Sequence, residues 1–176
     1  MPLRLTIPAD NATVCAMLIF RPIDTAAIAE ILTWRYPPPY DRYHLIIPPD
    51  QVAQVTHYFL DPLYAYHRID DENGSLVAFC CFGIDAQVAG GDYRSDALDL
   101  GLGVRPDLVG RGQGKVYTAA VIDFARTTFC PPALRVTIAA FNERAQRAWV
   151  ANGMQLVSRF SAVDGLPFVI LQAVCR

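Results

Sequence analysis

The chain has 176 residues, of which 53% are hydrophobic, and its formal net charge is -2 at pH 7. This length can bury one substantial core, and no Ser-, Gly- or charge-rich linker divides the chain, so we expect a single compact domain. The basic residues are scattered and form no stripe, which argues against a nucleic-acid partner. The five cysteines form no CxxC pair, which favours reduced thiols in the cytosol.

Membrane and metal-binding classes are also disfavoured. The longest apolar stretches, residues 14–20 and 76–84, are far shorter than the roughly 20 residues that a membrane-spanning helix needs. The three histidines fall at spacings that match no helical metal pair. We therefore expect a soluble, cytoplasmic protein with no membrane anchor and no metal site.

The first elements of the chain are one strand and two helices. Residues 17–20 are predicted as a strand, and a helix capped by Asp24 follows, because apolar residues recur at helical spacing up to Trp34. Three successive prolines within residues 36–40 cannot be helical and predict a rigid aromatic loop. Residues 50–59 again have helix-compatible spacing.

Residues 1–16 are predicted as an N-terminal extension. They either add an edge strand through Leu3–Ile7 or precede a domain that begins at Met17. The residues leave both alternatives open.

The rest of the chain alternates between strands and helices. Strands are predicted at 64–69, 76–84, 98–104, 134–138, 155–161 and 168–173, and helices at 115–129 and 142–152. Turn signals at 71–74 and 163–165 join neighbouring strands, and Gly153 ends the last helix. The predicted order is therefore β-α-α-β-β-β-α-β-α-β-β.

The most specific motif is a glycine-rich loop between a strand and a helix. The apolar run 98–104 breaks at Pro106 and leads into Val109-Gly110-Arg111-Gly112-Gln113-Gly114-Lys115. Three alternate glycines remove the Cβ atoms that would keep an extended ligand away from the backbone. A helix N-terminus with two cationic side chains nearby favours phosphate, so a cofactor that carries a pyrophosphate is the natural prediction.

Two other phosphate motifs do not fit this loop. A P-loop needs Gly where Val109 stands and Ser or Thr where Val116 stands, and the dinucleotide fingerprint G-x-G-x-x-G is missing.

With Val104-Arg105-Pro106 ahead of the glycine loop and Asn142 at the start of the next helix, the chain from Met17 onward resembles the GNAT superfamily of N-acetyltransferases. This resemblance implies an α/β (α+β) single-domain fold over residues 17–176. Its mixed, mostly antiparallel sheet of about six to seven strands would splay between the fourth and fifth strands, with about four flanking helices.

The resemblance also implies acetyl-CoA as co-substrate. Its pantetheine arm would lie between the splayed strands, and the implied contacts are Leu102, Gly103, Val104, Val109, Gly110, Arg111, Gly112, Gln113, Gly114, Lys115, Asn142 and Trp149. Asn142 is also a favoured N-cap residue, and the two roles can coexist. Trp149 can equally be explained by core packing.

Proton transfer is where the chain departs from the family pattern. Trp149 stands where the family commonly has a Tyr that protonates the departing thiolate, and an indole hardly yields a proton. Either the thiolate leaves without a dedicated acid, or Tyr117 or Tyr93 provides the hydroxyl.

The family's base is often a carboxylate on the fourth strand, where Asp99 is the only acid and thus the predicted catalytic residue. A structural carboxylate at Asp99, a role for Asp96, or a water molecule are the alternatives. The family's acceptor pocket is commonly lined by the loop around the first two helices, so Trp34, Tyr36 and Tyr40 are predicted to contact substrate or, alternatively, to seal a core edge.

We therefore expect an N-acetyltransferase, monomeric or homodimeric, that moves the acetyl group of acetyl-CoA to a primary amine by direct attack in a ternary complex. The acceptor would be a small molecule, a protein N-terminus or a lysine. A non-catalytic acyl-CoA-binding module with the same fold is the alternative.

Overall fold

The computed structural model of the protein describes residues 3–7 and 16–175, which form one mixed eight-stranded sheet with four α-helices. The strands are β1 Leu3–Ile7, β2 Ala16–Pro22, β3 His67–Asp70, β4 Leu76–Phe82, β5 Leu98–Val104, β6 Ala133–Ala139, β7 Gln155–Ser161 and β8 Pro167–Val174. The helices are α1 Thr25–Ile31, α2 Val52–Leu60, α3 Gly114–Phe129 and α4 Glu143–Val150. No helix in this part of the chain is long and apolar enough to cross a membrane.

The sheet has the strand order β1-β2-β3-β4-β5-β6-β8-β7. Neighbouring strands are antiparallel except β5 and β6, which run parallel. The predicted fold class is confirmed. The sheet has one strand more than the predicted range because Leu3–Ile7 pairs with β2 as an edge strand. The division of the chain at residue 17 stays a prediction, and residues 8–15, with Cys15, lie outside the described residues.

Some predicted bounds differ for local reasons. The second predicted strand, 64–69, begins only at His67, because Pro62–Tyr64 forms a 3-10 turn and Ala65 is in the left-handed region. The third ends at Phe82, since Gly83 has a φ of +86° and turns the chain. Asp24 caps α1 as predicted, and its Oδ1 accepts from the N–H of Ala27 over 2.8 Å.

Two apolar clusters cover the faces of the sheet. The larger lies under α3 and α4, where Phe20 of β2 stacks on Phe124 of α3 with ring centroids 4.4 Å apart. The smaller lies under α1 and α2 and includes Ile28 and Phe59. Because side chains alternate along a strand, β4 contributes Cys80 to the larger cluster while the residue before it packs against the smaller one.

The sheet opens between β5 and β6. These strands pair only where Leu98, Asp99 and Leu100 face Leu134, Arg135 and Val136. By contrast, β4 follows β5 up to Val104, and β8 follows β6 up to Ala139. Each strand therefore keeps its outer neighbour while the inner pairing ends, which leaves a gap between the carboxyl-terminal halves. The fourth and fifth predicted strands are β5 and β6, so this gap is the predicted splay.

His67, at the start of β3, links stability to pH. Its ring packs against Phe82 and Phe124, and burial lowers the pKa of the imidazole from its ordinary value near 6.5 although the ring Nδ1 lies 2.8 Å from the oxygen of Ala65. The unfolded chain therefore binds this proton more readily, so stability is lost as the pH falls below about 6.5.

We expect His67→Gln to reduce the loss of unfolding free energy between about pH 7.5 and about pH 5.5, measured by urea denaturation. The matched variant His57→Gln changes an exposed residue of α2 and should keep the wild-type pH dependence. Equal pH dependence in the wild type and His67→Gln would contradict this account.

Candidate active site

The gap between β5 and β6 opens into a cavity of about 940 Å³, which is large enough for an extended ligand. Its walls come from β5, β6, the glycine-rich loop, α4, the loop between α1 and α2, and the turn after β4. The predicted site residues that line it are Trp34, Tyr36, Leu102, Gly103, Val104, Val109, Gly110, Gly112, Gly114, Lys115, Asn142 and Trp149. Tyr40, Asp99, Arg111 and Gln113 are not among its lining residues.

The edge of β5 turns backbone polar groups into the gap. The N–H of Arg105 donates to Val77 and the N–H of Gly83 donates to Asp99, over 2.9 and 3.0 Å. In an antiparallel pair every second residue bonds its partner, so residues 99, 101, 103 and 105 face β4. The N–H and C=O groups of Leu102 and Val104 therefore point into the gap, and the Tyr36 hydroxyl donates to the Val104 oxygen over 2.9 Å.

The glycine-rich loop presents bare amides at the far end of this edge. Gly110 and Gly112 have φ values of +80° and +77°, and a Cβ atom added at either would find no atom within 4 Å. Within the described chain, the amides of Gly110, Arg111 and Gly112 donate to no other residue. The loop ends at the N-terminus of the 16-residue helix α3, so it can hold an anion.

Two residues at α4 form the opposite wall. Asn142 is confirmed as the N-cap, since its Oδ1 accepts from the N–H of Ala145 over 3.2 Å while its Nδ2 donates to the Tyr43 hydroxyl over 3.1 Å. Trp149 is buried in the larger apolar cluster and also lines the cavity. Its packing role and its place in the cavity wall therefore coexist.

The two tyrosine hydroxyls considered as general acids, those of Tyr117 and Tyr93, lie in different places. Tyr117 lines the cavity, and burial raises the pKa of its hydroxyl. The Tyr93 hydroxyl instead contacts the backbone of Val88 over 2.8 Å and the hydroxyl of Thr137 over 3.0 Å, and Tyr93 is not a lining residue. Of the two, only Tyr117 is at the site.

Asp99 is engaged in a buried ion pair. Arg135 donates to both carboxylate oxygens, from Nε over 2.6 Å and from Nη2 over 2.8 Å, and Gln87 donates to Oδ2 over 2.7 Å. Both members of the pair are 2% exposed. This placement favours the structural alternative for Asp99 over its predicted role as a base. Asp96, another alternative, is exposed and does not line the cavity.

The same ion pair anchors the loop between β4 and β5. Arg135 donates to the Ser95 hydroxyl over 2.8 Å, and its guanidinium lies 4.9 Å from the ring centroid of Tyr93. Gln87, from the same loop, reaches Asp99 and also lines the cavity. The loop is therefore held on the sheet where it forms part of the cavity wall.

The aromatic loop between α1 and α2 spans the gap. At one side Tyr36 bonds the Val104 oxygen of β5, and at the other Tyr43 receives the bond from Asn142, beyond β6. Tyr40 lies at the rim, where the guanidinium of Arg144 stands 3.4 Å from its ring centroid. Tyr40 therefore has a packing contact and no place in the cavity wall.

Trp34 carries an unusual buried donor. It lines the cavity, and its indole N–H is buried with no hydrogen-bond partner in the described part of the chain. Buried donors without partners are rare in proteins and are often found where a ligand or an ordered water binds.

One functional candidate was missed by the sequence analysis. Asp85 lines the cavity from the short turn Ile84–Ala86, and its two carboxylate oxygens accept from the hydroxyls of Tyr58 and Tyr66. Burial, followed by the contact with Asp85, raises the pKa of Tyr58, and burial also raises that of Tyr66. The available signal was its position as the first acidic residue after a predicted buried strand.

Neighbouring groups limit the chemistry of the cavity. Cys81 lines it, but burial raises the pKa of its thiol to about 12, so the thiol is a poor nucleophile at neutral pH. Among the residues that the structure describes, no group of three or more His, Cys, Asp or Glu could hold a metal ion. The arrangement suits transfer between bound substrates more than covalent catalysis.

Comparison with known proteins identifies the class. The family model described as the acetyltransferase (GNAT) family matches residues 25–154. The chain therefore belongs to this family and is an acyltransferase enzyme. No curated protein matches the chain.

Solved structures with the same fold are distant in sequence. An uncharacterised protein from Bacillus halodurans has a TM-score of 0.79 at 14% identity, with 98% of this chain and 90% of that chain covered. A spermidine N-acetyltransferase chimera from Vibrio cholerae and hSSAT has a TM-score of 0.71 at 12% identity, covering 89% and 95%. An aminoglycoside N(6')acetyltransferase from Legionella pneumophila has a TM-score of 0.64 at 18% identity, covering 89% and 91%. At such identities the likeness shows the fold alone.

We expect Arg135→Met to lower the unfolding free energy by about 3–5 kcal/mol, because it leaves the Asp99 carboxylate buried without its partner. The matched variant Arg94→Met removes a guanidinium whose side chain is 90% exposed and pairs with Asp92, and its stability should equal that of the wild type. Both are measured by urea denaturation. A loss below about 1 kcal/mol in Arg135→Met would mean that the pair does not hold β5 against β6.

Proposed function

We propose that the protein is a cytoplasmic N-acetyltransferase that transfers the acetyl group of acetyl-CoA to a primary amine. The observation that supports this most is the part of the β5 edge that does not pair with β6, where Leu102 and Val104 turn their polar groups into the gap and Tyr36 bonds only the Val104 oxygen. This edge leads to the bare amides of the glycine-rich loop, within a single cavity. Few ligands other than a CoA thioester combine an amide-bearing arm with a pyrophosphate.

The cavity provides groups for each part of acetyl-CoA. The amides of Gly110 and Gly112, at the start of α3, suit the pyrophosphate, and the open space above both glycines leaves room for it. The edge of β5 suits the two amides of the pantetheine arm, which can bond an unpaired strand edge as another strand would. Asn142 and Trp149 would form the wall opposite this edge.

The proposed chemistry is direct transfer in a ternary complex. The neutral amine nitrogen attacks the thioester carbonyl carbon, the carbon–sulfur bond breaks, and the sulfur leaves as thiolate. From an ammonium substrate the overall products are an acetamide, CoA thiol and one proton. The Leu102 N–H, which faces the gap, is suited to stabilise the carbonyl oxygen as it gains negative charge.

Little is required of a general acid. A thiolate whose conjugate thiol has a pKa of roughly 8.5 can leave without protonation at the same step. Tyr117 is the hydroxyl available on the cavity wall should a proton be needed there, since the Trp149 indole can donate a hydrogen bond but hardly releases its proton.

A second function is favoured by one observation. Because Trp149 replaces the hydroxyl-bearing residue common in the family, the cavity is also compatible with a non-catalytic acyl-CoA-binding module. The two functions separate when calorimetric titration with acetyl-CoA is followed by a thiol-release assay over a panel of amines. Binding with thiol release supports the transferase, and binding without release on any amine supports the module.

We expect Gly112→Glu to weaken acetyl-CoA binding at least ~100-fold, or about 2.7 kcal/mol, because a carboxylate and its side chain would enter the phosphate site. The matched variant Gly165→Glu adds the same side chain at a φ of +81°, also in open space, in the turn between β7 and β8 and away from the cavity.

Isothermal titration gives both dissociation constants, and thermal melting checks that the two substitutions strain the fold to a similar degree. Equal acetyl-CoA affinity in the two variants would exclude the glycine-rich loop as the phosphate site.

A further inference from the structure

We infer that Asp85 binds the ammonium group of the acceptor and that the acceptor is a primary monoamine with an apolar body. This inference rests on the proposed function and specifies the acceptor class for the same cavity.

The Asp85 carboxylate is held in place and still has capacity to bind. Tyr58 donates to one oxygen and Tyr66 to the other, so the carboxylate is oriented by two phenol hydroxyls. A carboxylate oxygen can accept two hydrogen bonds, and each oxygen of Asp85 therefore keeps one acceptor position for a ligand. An ammonium group, with three N–H donors and a positive charge, can bond to these two remaining acceptor positions.

Asp85 also lies close to the proposed site of reaction. A Cβ atom added at Gly101 would lie 2.5 Å from the sulfur of Cys81 and 3.6 Å from the Cβ of Ala86. Because Gly101 has no side chain, the turn after β4 can pack directly on β5. The next residue along β5 is Leu102, whose N–H faces the gap. An amine bound at Asp85 would therefore be next to the thioester carbonyl in the proposed complex, and its nitrogen would attack after the ammonium group has lost one proton to water.

The surroundings of Asp85 are aromatic. Tyr66 stacks on Phe59 with ring centroids 4.4 Å apart, and its centroid lies 6.3 Å from that of Phe79. Trp34 continues this wall, 5.8 Å from Phe79. These rings can pack against an apolar body and can also stabilise a cation through their faces.

The charges of the cavity argue for a single positive charge on the acceptor. Among the described residues that line the cavity, Asp85 is the only carboxylate, whereas the cationic side chains are Arg42, Lys115, Arg144 and Arg147. A second ammonium group would find no carboxylate partner in this lining and would share the cavity with the guanidinium groups of Arg42 and Arg144, whose positive charge disfavours it. Polyamines and aminoglycosides, which carry several ammonium groups, are therefore disfavoured.

The Asp85 carboxylate and the glycine-rich loop are also separated along β5. The turn with Asp85 lies over Gly101, while the glycine-rich loop follows Val104 and Pro106. At about 3.3 Å per residue, the strand from Gly101 to Val104 alone spans roughly 10 Å. An anionic ligand at the loop and a cationic acceptor at Asp85 can thus be bound together without contact between their charges.

The test measures thiol release from acetyl-CoA with 2-phenylethylamine, spermidine and kanamycin as acceptors. We expect kcat/KM for 2-phenylethylamine to exceed the other two values at least ~10-fold. Asp85→Asn should lower kcat/KM for this amine about 10- to 100-fold, mainly through KM, while the Kd for acetyl-CoA stays within about twofold. The matched variant Asp92→Asn changes an exposed carboxylate on the same loop and should behave as the wild type.

A second measurement does not depend on any variant. Calorimetric titration of the CoA-bound wild type should show 2-phenylethylamine binding at least ~10-fold more tightly than 2-phenylethanol, which has the same body but no charge. Equal binding of the two would overturn the role of Asp85 even if Asp85→Asn failed to fold.

The outcomes separate this inference from the proposed function. Acetyl-CoA binding and amine acetylation with spermidine or kanamycin preferred, or with Asp85→Asn as active as the wild type, would overturn the inference and leave the proposed function standing. Failure of acetyl-CoA to bind at all would overturn both.

Discussion

The ion pair between Asp99 and Arg135 is the interaction on which the rest of the structure depends. It joins β5 and β6 within the three-residue stretch where these strands pair, and both carboxylate oxygens are bonded. Burying two charges is costly, and only such complete hydrogen bonding offsets the cost. Above Leu100 the strands bond only their outer neighbours, β4 and β8. The pair therefore closes the sheet at the base of the gap and fixes where the gap begins.

The gap in turn creates the two ends of the cavity. One end has the bare amides of Gly110 and Gly112 at the helix N-terminus and is suited to an anion. The other has the Asp85 carboxylate, fixed by two tyrosine hydroxyls, and is suited to a cation. Between them lies the edge of β5, where the backbone groups of Leu102 and Val104 face the gap. The fold and the charge distribution therefore give the cavity one end that suits an anion and another that suits a cation.

Prediction from the sequence succeeded for features that are encoded locally. The glycine-rich loop, the caps at Asp24 and Asn142 and the order of the elements were all predicted, because each depends on neighbouring residues and on short periodicities. The predicted ends of strands were less accurate where a residue in the left-handed region, such as Ala65, interrupted an apolar run. The backbone direction at Leu102 and Val104 could not be derived from their side chains, because it depends on the register with β4.

The sequence by itself thus determined the family, the sheet with its splay, and the glycine-rich loop that precedes a helix. Only the tertiary structure decided which carboxylate belongs to the cavity. Asp99 meets Arg135 across 36 residues, and Asp85 meets Tyr58 and Tyr66 across 27 and 19 residues. The environment of a carboxylate comes from partners that are distant along the chain, and no local pattern records whether that environment is a buried cation or an open aromatic wall.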